Sequence, residues 1–159
     1  MTVRVLVVED GTEYSDTLGR FLGDTFSFQR AGSGAVALAA LQEGGHDVVF
    51  LDMRFDRVDE NDLMGDPAQV ADRFNGDAIQ ARRFLEDHQG NYILAAIREA
   101  GHDLPVLMSY DFSGEPRRWE NLRTRYGPLD FLIDVASPTE VADRLVALAL
   151  RARPETSDE

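Results

Sequence analysis

Two acidic residues, Glu9 and Asp10, follow the apolar run Val3–Val8, and a third, Asp52, closes the run Val48–Leu51. Ser109 closes Val106–Met108, with Tyr110 behind it, and Asp134 follows Phe131–Ile133. If the apolar runs lie side by side as strands, these polar groups arrive at one rim from separate segments. Four carboxylates (Glu9, Asp10, Asp52 and Asp134) cannot converge and all stay ionised cheaply; one takes up a proton, or a cation sits among them. Weak binding of a divalent cation such as magnesium is the chemistry this rim predicts. Arg54 could fold back and pair with Asp134.

Composition narrows the classes. The chain has 159 residues, 16 basic against 29 acidic, for a net charge of −13, and no cysteine. Thiolate metal sites, disulfides and a cysteine nucleophile are excluded. All basic residues are arginine, so no lysine ammonium is available. The acidic balance argues against nucleic acid, which needs a basic face. No apolar run approaches the ~20 residues of a membrane span. The first residues lack the pattern of a signal peptide, so a soluble, cytoplasmic protein is expected. The length suits one domain that buries roughly 68–70% of its unfolded surface.

The elements that must position the rim follow from periodicity. Val3–Val8 and Val48–Leu51 are β-branched runs of the kind buried on both faces. Strands are also expected at Phe26–Arg30, Pro105–Met108 and Leu129–Ile133. Helices are expected after each: a stripe at Tyr14, Leu18, Phe21 and Leu22, an alanine-rich stretch from Ser33 to Gln42, then Tyr92–Ala100. A further stripe carries Trp119, Leu122 and Tyr126, and Ser137-Pro138-Thr139-Glu140 opens the last helix to about Arg151 as a capping box. Five strands alternating with helices imply a parallel sheet covered on both faces, with ligands beyond the carboxyl ends of its strands. The expected organisation is one domain over 1–152, with an insertion at about 54–90 and a polar tail at 153–159. Within the insertion, Asp66-Pro67 and the stripe Ala78, Ala81, Phe84 and Leu85 predict two helical pieces. Phe74, Ile79, Phe84 and Leu85 give it too much apolar surface for a solvated linker.

Val-Leu-Val-Val-Glu9-Asp10, Val-Val-Phe-Leu-Asp52-Met53 and Leu-Pro-Val-Leu-Met-Ser109, in that order, resemble the receiver domain of bacterial response regulators, in an atypical, pseudo-receiver form. The resemblance implies a flavodoxin-like, doubly wound five-stranded sheet of order 2-1-3-4-5. It also implies a role in two-component signal transduction, with a histidine kinase or a downstream signalling protein as partner. By position, Asp52 corresponds to the phospho-acceptor. Glu9 and Asp10, with the backbone carbonyl of Arg54, correspond to the magnesium ligands. Ser109 corresponds to the hydroxyl that follows the phosphoryl group, and Phe131 to the aromatic switch. Two positions depart from the pattern. Asp134 stands where the family has lysine, a reversal of charge that arginine elsewhere matches poorly in reach and geometry. Tyr110 stands where a small residue leaves room for the phosphoryl group.

Three readings follow. The first is a stand-alone receiver-like protein acting through protein contacts, independent of aspartyl phosphorylation and not an enzyme. The second is a phosphorylatable receiver in which an arginine replaces the missing lysine. The third, a metal-dependent phosphohydrolase with Asp52 as nucleophile, lacks the second aspartate of an Asp-x-Asp motif at Asp52-Met53-Arg54. The insertion reads as a lid or docking element over the rim. Its acidic run from Asp56 to Asp66 does not fit an EF-hand loop. His46, His88 and His102 lack ligand spacing and read as solvated.

Overall fold

The structure, a computed structural model, describes residues 2–133 and 136–152. Asp134 and the tail lie outside the described residues. Five strands form one sheet in the order β2-β1-β3-β4-β5: β1 Val3–Val8, β2 Phe26–Ala31, β3 Val48–Asp52, β4 Val106–Ser109 and β5 Leu129–Leu132. Every neighbouring pair is parallel. This is the flavodoxin-like order the resemblance implied. The helices are α1 Glu13–Leu22, α2 Gly34–Glu43, α3 Pro67–Asp72, α4 Ala78–Asp87, α5 Gln89–Glu99, α6 Pro116–Tyr126 and α7 Pro138–Ala152. No helix among the described residues is long and apolar enough to cross a membrane.

The period-two alternation of a strand sorts each run onto two faces. Leu6, Val8, Val49, Leu51, Val106 and Met108 pack with residues of α2, α5 and α6. Val5, Val7, Val48, Phe50, Leu107 and Leu132 pack with residues of α1 and α7. Because both faces are covered, the runs read as continuously apolar rather than alternating. Arg98, at the end of α5, donates to the carbonyls of Tyr126, His102, Leu104 and Pro128, which ties α5 to the ends of α6 and the entry of β4. Burial pushes its guanidinium below the usual arginine range.

The insertion forms two helices and a short 3-10 turn at Glu60–Asp62. Asp66 caps α3 by accepting from the amides of Ala68 and Gln69, and Pro67 occupies the first turn, as the sequence suggested. Val70, Ala81 and Leu85 make a small core of their own, walled by Leu63, Phe74, Phe84 and Tyr92. Ile79 is not part of it. That side chain is 67% exposed, because it lies on the outer face of α4. Buried Gln89 holds the unit to α5: its carbonyl accepts from the Met64 amide, and its amide donates to the carbonyls of Met64 and Leu85.

The return to the sheet is tight. The Gly90 amide donates to the Met53 carbonyl at 2.8 Å, and the Phe55 amide to the Glu86 carbonyl at 2.9 Å. A Cβ on Gly90 would stand 2.7 Å from the carbonyl oxygen of Asp52 and 2.8 Å from Met53 Cα. Gly90→Ala is therefore expected to cost about 1–3 kcal/mol through overpacking against backbone. Gly19→Ala, in α1 with nothing within 4 Å of the added Cβ, is expected to stabilise by up to about 1 kcal/mol. Urea unfolding of both variants checks the contrast. Arg98→Ala, which strips four carbonyls of one charged donor, is expected to lower stability by about 2–3 kcal/mol in the same assay.

Candidate functional site

The order of strands reverses between β1 and β3, and the crevice beyond their carboxyl ends is where doubly wound sheets bind ligands. Asp52 ends β3 there. Its register partner on β4 is Ser109, so carboxylate and hydroxyl stand on adjacent strands. Asp52 Oδ1 accepts from the Met53 amide at 2.9 Å. A cavity of 530 Å³ opens beside it, lined by Asp52, Met53, Arg54, Asp87, His88, Ser109, Tyr110 and Arg118. Volumes of 300–1,000 Å³ are usual for small-molecule sites.

Glu9 has another partner. It is 1% exposed, and its two carboxylate oxygens accept from the amides of Tyr14 and Ser15 and from the Ser15 hydroxyl, at 2.7–3.0 Å. Thr12, at the N-cap of α1, makes no side-chain cap. Glu9 satisfies those free amides instead, and its charge complements the positive end of the helix. Asp10 turns toward the chain after β3, where Oδ2 accepts from the amides of Asp56 at 3.0 Å and Arg57 at 2.9 Å. Arg54 pairs with Asp56 and Asp87 at 3.4 and 3.3 Å. Of the four carboxylates expected at the rim, Asp52 lines the cavity, Glu9 and Asp10 serve neighbouring backbone, and Asp134 lies outside the described residues.

The donors do not fit a magnesium ion as they stand. Both Glu9 oxygens face the helix end, and two amide N–H groups point at the Asp10 oxygen nearest the loop. Among the described residues, no three His, Asp or Glu side chains are gathered as a metal ion requires.

Ser109 is met by a residue of the apolar stripe of α1. Its hydroxyl and that of Tyr14 are hydrogen-bonded at 2.6 Å, and the Tyr14 ring packs on Phe50 with centroids 4.8 Å apart. Tyr14 fits the apolar stripe of α1, and nothing local marks a partner 95 residues away. Tyr110 forms a wall of the cavity, with its hydroxyl directed at Glu115 Oε2 at 2.6 Å. That bond and then burial push the phenol up, while Tyr110 and then Arg118 hold the Glu115 carboxyl below the usual range. The Arg118 guanidinium lies over the rings of Tyr110 and Phe112. Phe131 is wedged edge-on between Phe112 and Trp119, with centroids at 5.5 and 4.8 Å.

His88 corrects the reading of a solvated histidine. Its ring stacks on Phe84 at 4.2 Å, Nδ1 bonds the Phe84 carbonyl, and the residue lines the Asp52 cavity. His46 bonds Gln29 through Nε2 and buries Nδ1.

No family model matches the sequence, and no curated protein is similar to it in sequence. Solved structures are similar in shape. The receiver domain of the Francisella response regulator 1452 superposes with a TM-score of 0.64 at 18% identity, over 95% of this chain and 99% of that one. Adenylate cyclase from Rhodopirellula baltica gives 0.64 at 17% identity, over 95% and 90%. A CheY-like response regulator receiver domain protein from Methanospirillum hungatei JF-1 gives 0.62 at 10%, over 95% and 96%. The chain has the receiver fold. The likeness is one of architecture: at these identities the receiver fold is shared while the residues at its rim are not thereby matched.

Within that receiver fold the Tyr14–Ser109 bond is a local feature that can be removed without loss of ring packing. Tyr14→Phe is expected to cost about 0.5–1.5 kcal/mol, the net value of one hydrogen bond, measured by urea unfolding. Ser109→Ala in the Tyr14→Phe background is expected to cost less than Ser109→Ala alone, since the partners share one interaction.

Proposed function

We propose that the chain is an atypical receiver-like signalling module, working through protein contacts and independent of aspartyl phosphorylation. The observation that carries this reading is Glu9: the acid that the resemblance assigns to magnesium is buried and engaged at both oxygens by the N-terminus of α1. With Glu9 committed to the helix, it is not poised to hold a cation between the Asp52 carboxylate and an incoming phosphoryl anion, two groups of the same charge. Asp134, in place of lysine, adds a charge of the same sign to the sequence at the corresponding position. A histidine kinase or a downstream signalling protein is the partner class this fold suggests, and the helices of the insertion supply a surface for it.

A second reading, a phosphorylatable receiver with Asp52 as acceptor, is favoured by one observation. Arg54 and Arg118 line the same cavity as Asp52 and supply guanidinium charge there. Each already has carboxylate partners, Asp56 and Asp87 for Arg54 and Glu115 for Arg118, which is why it ranks second.

Intact-mass analysis after incubation with acetyl phosphate and magnesium separates the two. The wild-type chain is expected to gain no phosphoryl group. A stable gain that disappears in Asp52→Asn would overturn the proposal and install the second reading. Asp134→Lys combined with Tyr110→Ala is expected to label more than either change alone, one acting by charge and the other by access to the same reaction.

A further inference from the structure

The loop after β3 carries a cation of its own onto the β1–α1 loop. The Arg57 guanidinium is paired with Glu13 at 2.6 Å, and the same residue donates its backbone amide to Asp10 Oδ2 at 2.9 Å. The guanidinium and the Glu13 carboxylate fill the space over Gly11, where a Cβ on that residue would collide with both. From the β2 side, Arg30 donates to the carbonyls of Gly11 and Asp10. Two guanidiniums thus bracket the turn that follows Glu9.

We propose that Arg57 is the built-in counter-cation of this acidic turn, holding the loop after β3 against Asp10 and Glu13 and making the turn indifferent to divalent metal ions. The inference deepens the proposed function, because it names the cation that stands beside Asp10, one of the acids that the resemblance assigns to magnesium. It does not depend on whether Asp52 accepts a phosphoryl group.

The physical argument is one of charge and placement. Asp10, Glu13 and Asp56 stand close to Arg57, and each favours its charged form, the Glu13 hydrogen bond most. A tethered guanidinium is present at unit stoichiometry, whereas a free ion has to be recruited from solution and dehydrated; magnesium gives up its water reluctantly. The pair is also exposed, 59% for Arg57 and 61% for Glu13, so its contribution to stability is small. Its effect belongs in the response to metal rather than in the melting temperature alone.

Thermal unfolding of the full chain in millimolar magnesium, against sodium chloride of equal ionic strength, tests this. Wild type is expected to melt at the same temperature in both salts. Arg57→Gln keeps the backbone amide on Asp10 but removes the charge, and is expected to gain a magnesium-dependent rise of about 2–4 °C. Adding Asp10→Asn to that variant is expected to abolish the rise, and Arg57→Lys is expected to remain as indifferent as wild type. Calorimetric titration with magnesium should follow the same order. A wild-type chain that magnesium stabilises as much as Arg57→Gln would overturn the proposal, and so would an Arg57→Gln variant that ignores the ion. Phosphoryl labelling of Asp52 is read separately by mass, so that failure of the proposed function and failure of this inference give different results.

Discussion

Carboxylates at the end of a buried parallel sheet have to be met by hydrogen-bond donors or positive charge, and in this chain every side-chain cation of fixed charge is a guanidinium. That constraint organises the rim. Glu9 is met by the amides at the start of α1, Asp10 by the amides of Asp56 and Arg57, and Asp87 by Arg54. Each solution draws a neighbouring segment against the sheet. Glu9 fixes where α1 begins, and Asp10 fixes the path of the chain leaving β3. The insertion is anchored from the other side, where Gly90 can approach the Met53 carbonyl only because it has no side chain.

The fold was legible wherever one local rule sufficed. Val3–Val8 and Val48–Leu51 could be placed because short β-branched runs of this kind suit strands buried on both faces. The capping signals also held. Ser137 accepts from the Glu140 amide, and Ser33 accepts from the Val36 amide. Gly44 ends α2 with a φ of 80°, which glycine reaches without strain. The insertion was legible as helical, since its apolar stripes demanded burial. Ile79 misled, because it counts as apolar surface that needs burial although it lies off the stripe, on the outer face of α4.

The site was legible only in part, for a physical reason. That Asp52 and Ser109 would be neighbours follows from strand ends and parallel register. The direction of a carboxylate does not follow from either. Glu9 faces α1 because Thr12 leaves the helix amides without a side-chain cap, a competition decided in three dimensions. The Tyr14–Ser109 bond and the entry of His88 into the cavity depend on segments far apart in the chain. His88 reads as a loop histidine, yet it caps α4 and stacks on Phe84 one turn back.

Signalling as proposed would require two arrangements of the same contacts and an input that favours one of them. In the arrangement seen here the groups nearest Asp52 already have partners. Ser109 is held by Tyr14, Tyr110 by Glu115 and Arg118, and Phe131 by Phe112 and Trp119. An anion arriving at Asp52 would find the Arg54 and Arg118 guanidiniums already paired with carboxylates and the Ser109 hydroxyl already bonded to Tyr14. A protein that contacts the outer surfaces of α3, α4 or α6 meets no such barrier. Those helices lead directly to the cavity walls, α4 through Asp87 and α6 through Arg118, and the small core of Val70, Ala81 and Leu85 joins α3 to α4. On the proposed reading, that difference between the two inputs is the reason to rank protein contact above phosphoryl transfer.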